Sequence, residues 1–177
     1  MKFHSRGGCA ESGNTMRNTT LCYVEKDGQY LMLHRVKKER DVNRDKWIGI
    51  GGGFLEDESP EDCILREALE ETGLVLHEPK LRAVVTFVIE DGECEQMFLF
   101  KCDRFSGELR ECDEGVLEFI DKDRLFELDI WEGDRFFLQR IRDEGEFFTM
   151  KLVYDREGRL LEASENGKRF LGPRDKA

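Results

Sequence analysis

Positive charge, histidine and closely spaced cysteine are all scarce in this 177-residue chain. Lys and Arg number 28 against 39 Asp and Glu, for a net charge of -11 at pH 7. Such an excess of acid excludes wrapping duplex nucleic acid as the main task, because nothing offsets repulsion by the phosphates. The three histidines, His4, His34 and His77, stand in no motif and read as structural or surface groups. No two of the six cysteines (Cys9, Cys22, Cys63, Cys94, Cys102 and Cys112) lie closer than eight residues, so no Cys-x-x-Cys zinc or redox unit exists. No stretch approaches the ~18 apolar residues that cross a bilayer. The opening MKFHSRGGCAESGNTM lacks the apolar core of a signal peptide. These absences predict a cytoplasmic protein with reduced thiols, most of them small core residues, and no membrane partner.

What is present predicts one domain. A chain of this length buries roughly 70% of its unfolded surface and needs no disulfide. Apolar residues make up 39% and include 13 Phe, enough core to offset the 38% that are charged. Residues 1–16, rich in Gly, Ser, Asn and Thr, read as a flexible leader. Residues 17–163 carry the domain, and 164–177 read as a polar, fraying tail.

Within the domain, Thr20–Glu25 and Tyr30–Val36 read as strands joined at Lys26-Asp27-Gly28. Leu81–Ile89 and Gln96–Cys102 form a second pair around Asp91-Gly92. Val116–Ile120 is a short strand, and Phe147–Tyr154 and Arg159–Ala163 form a last hairpin around Glu157-Gly158. Ser59-Pro60-Glu61 opens a helix with an N-cap, a proline at the first position and acid in the first turn, and Gly73 ends it. Trp131–Arg142 reads as a second helix. Hairpins around isolated helices predict an α/β fold, a mixed β-sheet with helices packed on it.

The chemistry concentrates in GGFLEDESPEDCILREALEETGL, residues 52–74. On a helical wheel Glu67, Glu70 and Glu71 share one arc, and Ile64, Leu65, Ala68 and Leu69 are assigned to the opposite, core-facing arc. Glu67 and Glu71 form an i,i+4 pair of like charge, unfavourable if merely solvated. Only Glu70 has an obvious intrahelical cation, Arg66, and the acids sit in the half of the helix that the macrodipole does not favour. A cluster placed against its own electrostatics asks for a cation, and hard carboxylate oxygens suit Mg²⁺ or Mn²⁺. A solvated acidic face is the ordinary outcome for a Glu-rich helix, but the spacing here displaces it.

The segment resembles the signature of the Nudix hydrolase superfamily, with Gly52, Glu58, Arg66, Glu67, Glu70, Glu71, Gly73 and Leu74 at the motif positions and Ala68 at the first aliphatic one. The resemblance implies a Nudix α/β/α sandwich with a mixed β-sheet between helices. It implies a metal held by Glu67, Glu70 and Glu71 together with the backbone carbonyl of Gly52. It makes Arg66 an orienting group and Glu58 a supporting one. The glycine run 49–53 is not a Walker loop, because no Gly-Lys-Ser/Thr follows it.

Other positions gain roles by resemblance to the MutT-like branch. Arg35 begins a loop, residues 35–46, with six basic and three acidic residues, and is the phosphate-binding candidate. In the acidic loop before Val116, Glu114 is the outside metal ligand, with Asp113 its competitor. Trp131 and Asp134 match the aromatic and the Asp that stack on and read an oxidised purine base. Two departures imply weaker base discrimination: Ile48 stands where the vertebrate-type enzymes carry a base-reading Asn, and Gly133 where they carry a second Asp.

The implied activity is metal-dependent hydrolysis of a nucleoside diphosphate-linked nucleotide substrate. Its most specific form is conversion of 8-oxo-dGTP to 8-oxo-dGMP and pyrophosphate, with Glu67 or Glu114 as general base. Rival substrates are sugar-nucleotides, dinucleoside polyphosphates and isoprenyl diphosphates. A non-catalytic nucleotide sensor is the alternative of another class, and the complete set of acids argues against it.

Overall fold

A computed structural model describes residues 16–37, 43–90 and 94–172. The leader 1–15, the turn at Asp91-Gly92 and residues 38–42 of the basic loop lie outside the described residues. β1 (Arg17–Lys26) and β2 (Gln29–His34) form a hairpin. Asp27 and Gly28 both take positive φ at its turn, the geometry that matches strand twist. The glycine run follows β3 (Trp47–Ile48) and leads to α1 (Pro60–Thr72). After α1 come β4 (Val75–Leu76), β5 (Lys80–Ile89), β6 (Cys94–Cys102), β7 (Phe105–Ser106) and β8 (Val116–Asp121). The chain ends with α2 (Asp134–Arg142), β9 (Phe148–Tyr154), β10 (Leu160–Glu165) and β11 (Lys168–Leu171).

The main sheet runs β11-β10-β9-β5-β6-β1-β2-β3, with β8 also paired to β2, while β4 and β7 pair separately. β1 lies parallel to β6 and β5 parallel to β9; the other pairings are antiparallel, which makes the sheet mixed. Alternate residues of β1 and β2 serve two cores. Leu21, Tyr23, Tyr30 and Met32 pack with Phe137, Leu138 and Ile141 of α2. Cys22, Val24, Leu31 and Leu33 pack with Ile64 and Ala68 of α1. Burial on both faces is why these strands read as nearly continuous apolar runs. This is the expected sandwich of helices about a mixed sheet.

Three expectations change. Val36 leaves the strand, which ends at His34, and α2 begins at Asp134, so Trp131 sits in the turn before it. The tail from 164 is partly sheet: Ser164 and Glu165 pair with Lys151 and Met150, and a turn at Asn166-Gly167 returns the chain as β11. Asn166 Oδ1 accepts the Thr149 N–H at 2.9 Å, tying that turn to β9. Polar composition suggested fraying because backbone pairing on an edge hairpin needs no apolar run. The five described cysteines are unpaired, and all but Cys94 are buried. Among the described residues no helix is long and apolar enough to cross a membrane.

Candidate active site

α1 starts with a reciprocal cap. Ser59 Oγ accepts the Asp62 N–H at 3.1 Å, and Asp62 Oδ2 accepts the Ser59 N–H at 3.0 Å. Gly73 ends the helix in the left-handed conformation, its N–H bonded to Leu69 O at 3.0 Å. The buried face carries Cys63, Ile64, Ala68 and Thr72. Leu65 and Leu69 are 38% and 44% exposed, a correction to the face assigned from the wheel. On the wheel Glu67 and Glu71 fall between Cys63 and Ile64, so they lie within the buried face rather than opposite it. The sheet-facing side of the helix therefore carries the acids into the protein.

Arg66 joins four groups. Its guanidinium donates to Glu58 Oε1 at 2.6 Å and Oε2 at 3.0 Å, to Glu67 Oε1 at 2.7 Å, to Glu70 Oε2 at 3.1 Å and to Gly53 O at 3.0 Å. Glu67 thus has a cation too, which the sequence spacing alone did not reveal. Arg66, helped by the Leu55 N–H, holds the Glu58 carboxyl down at about 2. A planar five-donor fork of this kind fixes carboxylate orientation. Glu70 is on the solvent side, its side chain 61% exposed, and shares the Arg66 guanidinium with Glu67.

The glycine run lies against β1 and α1. Gly52 O accepts the Thr20 N–H at 2.8 Å, a bond that ties the glycine run to β1 and uses one of the two lone pairs of this carbonyl. Gly52 serves the site in a second way: a Cβ here would stand 2.5 Å from Glu67 Cδ, so only glycine lets that carboxylate lie on the backbone. The Gly51 N–H donates to Glu71 Oε2 at 3.0 Å. Burial, followed by the charges of Glu114 and Glu67, pushes the Glu71 carboxyl up to about 8. Glu114 reaches the same region from the loop before β8 and forms an ion pair with Arg35. Asp113, its competitor, does not line the cleft.

A cleft of about 650 Å³ unites these groups. Gly51, Gly52, Arg35, Glu67, Glu71, Glu95 and Glu114 line it together with Leu21, Ile48, Phe87, Ile89, Met97, Trp131 and Asp134. Trp131 Nε1 donates to Asn43 Oδ1 at 2.8 Å, and the Lys46 ammonium lies 5.3 Å from the Trp131 ring centroid. The basic loop thus supports the aromatic wall as well as supplying Arg35. Asp134 is 7% exposed, and burial pushes its carboxyl up to about 8 against the opposing pull of Lys46. It therefore stands neutral at pH 7, able to donate one hydrogen bond and accept another.

Sequence reading missed Asn43, Phe87, Ile89, Glu95 and Met97. None belongs to a spaced motif, and period-two alternation on β5 and β6 marks only which face they share. His77 is exposed and bonded to Ser106 at 2.9 Å, and His34 stacks on Trp47 with centroids 4.5 Å apart, as structural groups. Among the described residues no three carboxylate, imidazole or thiol groups are already gathered as a metal cluster. The donor set nevertheless fits a hard divalent cation. Glu67, Glu71 and Glu114 are hard oxygen donors that repel one another in a partly desolvated cleft, and a cation relieves that repulsion.

The NUDIX domain model matches residues 15–141. The Nudix hydrolase YvcI of Bacillus subtilis is 32% identical over 124 residues, 67% of this chain and 75% of that one. An oxidized purine nucleoside triphosphate hydrolase of Danio rerio is 31% identical over 123 residues, 68% of this chain and 76% of that one. The crystal structure of a MutT protein from Bacillus halodurans superposes with a TM-score of 0.77 at 26% identity, covering 86% of this chain and 99% of that one. Matched by that model over more than half of its length, and more than 30% identical to a Nudix hydrolase over two thirds of it, the chain belongs to the NUDIX domain family and is a Nudix hydrolase.

Proposed function

We propose that this Nudix hydrolase is a purine nucleoside triphosphate pyrophosphohydrolase, with oxidised purine nucleotides such as 8-oxo-dGTP as preferred substrates. One observation carries the reading: a single cleft holds Glu67, Glu71, Glu114 and Arg35 together with an aromatic wall and the buried carboxyl of Asp134. The first group suits a polyphosphate, and the second suits a flat base with a polar edge. The Danio rerio relative acts on oxidised purine nucleoside triphosphates, which adds support.

Glu67, Glu71 and Glu114 would hold Mg²⁺ or Mn²⁺, with Glu70 remaining on Arg66. Such an ion, when bound, neutralises phosphate oxygens and lowers the pKa of the attacking water. Arg66 and Glu58 hold Glu67 in one orientation, and the Gly51 N–H holds Glu71 in another. Arg35 binds phosphate and, through its ion pair, ties that binding to the position of Glu114. The proton of the attacking water passes to a carboxylate, Glu67 or Glu114. Water cleaves the α,β-phosphoanhydride directly into the monophosphate and pyrophosphate, so no covalent intermediate is needed. Trp131 offers its face to the base, and the Asp134 carboxyl meets the base edge.

The test is pyrophosphate release with Mg²⁺ over oxidised and normal nucleoside triphosphates, with product release followed in parallel for sugar-nucleotides, dinucleoside polyphosphates and isoprenyl diphosphates. The highest kcat/KM is expected for an oxidised purine triphosphate. A higher value for any of the last three classes overturns the substrate reading.

A further inference from the structure

Behind the aromatic wall of the cleft stands a ring that the reading above does not use. Tyr154, the last residue of β9, is 1% exposed and does not line the cleft. Its ring stacks on Phe87, with centroids 4.7 Å apart and planes at 24°, and meets Trp131 edge-on at 5.7 Å. Its hydroxyl oxygen accepts the Gly133 N–H at 2.7 Å in a buried hydrogen bond. A helix leaves the amides of its first turn without internal partners, and α2 has no side-chain cap from its own sequence. A side chain from β9 therefore supplies a cap from outside the helix.

Gly133 lies between Trp131 and Asp134, in a turn closed by the Asp134 N–H to Trp131 O at 3.1 Å. A Cβ at 133 would stand 2.5 Å from the Tyr154 hydroxyl oxygen and 2.6 Å from a Leu152 methyl. The space a side chain at 133 would need is filled by β9. The wall consequently presents an aromatic face and one carboxyl, with no second side chain from this turn beside Asp134.

We propose that Tyr154 is a positioning residue that sets base preference, by anchoring the 131–134 turn through Gly133 so that Trp131 and Asp134 address the same base. The proposal rests on the nucleotide reading above for its ligand, but its geometry does not depend on that reading. Tyr154→Phe keeps the ring and removes the acceptor. The KM for purine nucleoside triphosphates should rise about 5-fold, the worth of one net hydrogen bond. Turnover should stay within about two-fold, because the carboxylates on α1 are untouched, and the purine-over-pyrimidine ratio of kcat/KM should fall with the rise in KM.

Gly133→Ala should act in the same direction. The double variant Tyr154→Phe with Gly133→Ala should lose less than the two single losses multiplied, because removing the hydroxyl makes room for the methyl. In the absence of any nucleotide, the Trp131 indole N–H cross-peak should also shift in Tyr154→Phe, distinguished from Trp47, the other tryptophan. An equal loss for every base, tracking a fall in Tm, with the indole cross-peak unmoved, overturns the proposal and leaves Tyr154 as core. If the parent hydrolyses no nucleoside triphosphate, the substrate reading fails separately. The indole cross-peak then decides for or against the positioning of the turn by itself.

Discussion

Replacing Asp134 by Asn should change how stability depends on pH. The carboxyl is 7% exposed, and burial raises it to about 8, with Lys46 opposing. In the unfolded chain an Asp titrates near ~3.9. Between those values the folded protein keeps the proton and the unfolded chain releases it, so stability falls as pH rises. The contribution of the neutral carboxyl is complete below about pH 4 and is lost once pH passes about 8. Roughly four pH units at about 1.4 kcal/mol each set a ceiling of about 6 kcal/mol. Water entering the cleft lowers this, and half the ceiling, roughly 3 kcal/mol, is the expectation. For a domain of this size that corresponds to a change in Tm of about 6–12 °C. Asn keeps the shape and cannot ionise, so the Tm of Asp134→Asn minus that of the parent should grow by that amount from pH 4.5 to 8.5. Thermal melts in EDTA provide the measurement, and titration of Glu71, present in both proteins, cancels in the difference. A difference that stays flat across pH would refute the argument that burial holds this carboxyl neutral.

Four substitutions at the site have further definite expected outcomes. Glu71→Gln should leave the fold intact, with Tm unchanged at neutral pH and raised above about pH 8, where the parent must ionise a buried, repelled carboxyl, and should lower kcat by roughly 100-fold or more; full activity in this variant or in excess EDTA would remove the metal assignment. Gly52→Ala places a methyl 2.5 Å from Glu67 Cδ, so kcat should fall by roughly 10- to 100-fold, and circular dichroism would separate this from unfolding; unchanged turnover would show that Glu67 has another productive position. Trp131→Ala should weaken binding of every purine nucleotide by roughly 1–3 kcal/mol, measured by calorimetry, whereas Asp134→Asn should alter the ratio of kcat/KM for 8-oxo-dGTP over dGTP; a Trp131→Ala protein that melts earlier but binds equally well would make Trp131 a core residue alone.

The local sequence determined α1 almost completely. Ser59, Pro60 and Gly73 carry capping rules that act within one turn of chain, and the observed boundaries follow them. The central strands were readable for a similar reason, because two-sided burial demands apolar runs. The short strands β3, β4 and β7 were not, since two residues carry no period, and β11 was hidden because an edge hairpin is held by backbone bonds that composition does not record. At the site, the spacing of Gly52, Glu67 and Glu71 was enough to indicate a family and a chemistry. Which way each acid faces was decided by packing. Ile64 and Ala68 turn α1 onto the sheet, carrying Glu67 and Glu71 inward while Glu70, Leu65 and Leu69 remain toward solvent. Tertiary contact alone joined Glu114 to Arg35, Trp131 to Asn43 and Gly133 to Tyr154. Those partners are separated by 79, 88 and 21 residues, and no local propensity or period links positions so far apart. Sequence spacing supplied the groups on one helix, and the mixed sheet supplied the cleft that opposes them to a base-sized wall.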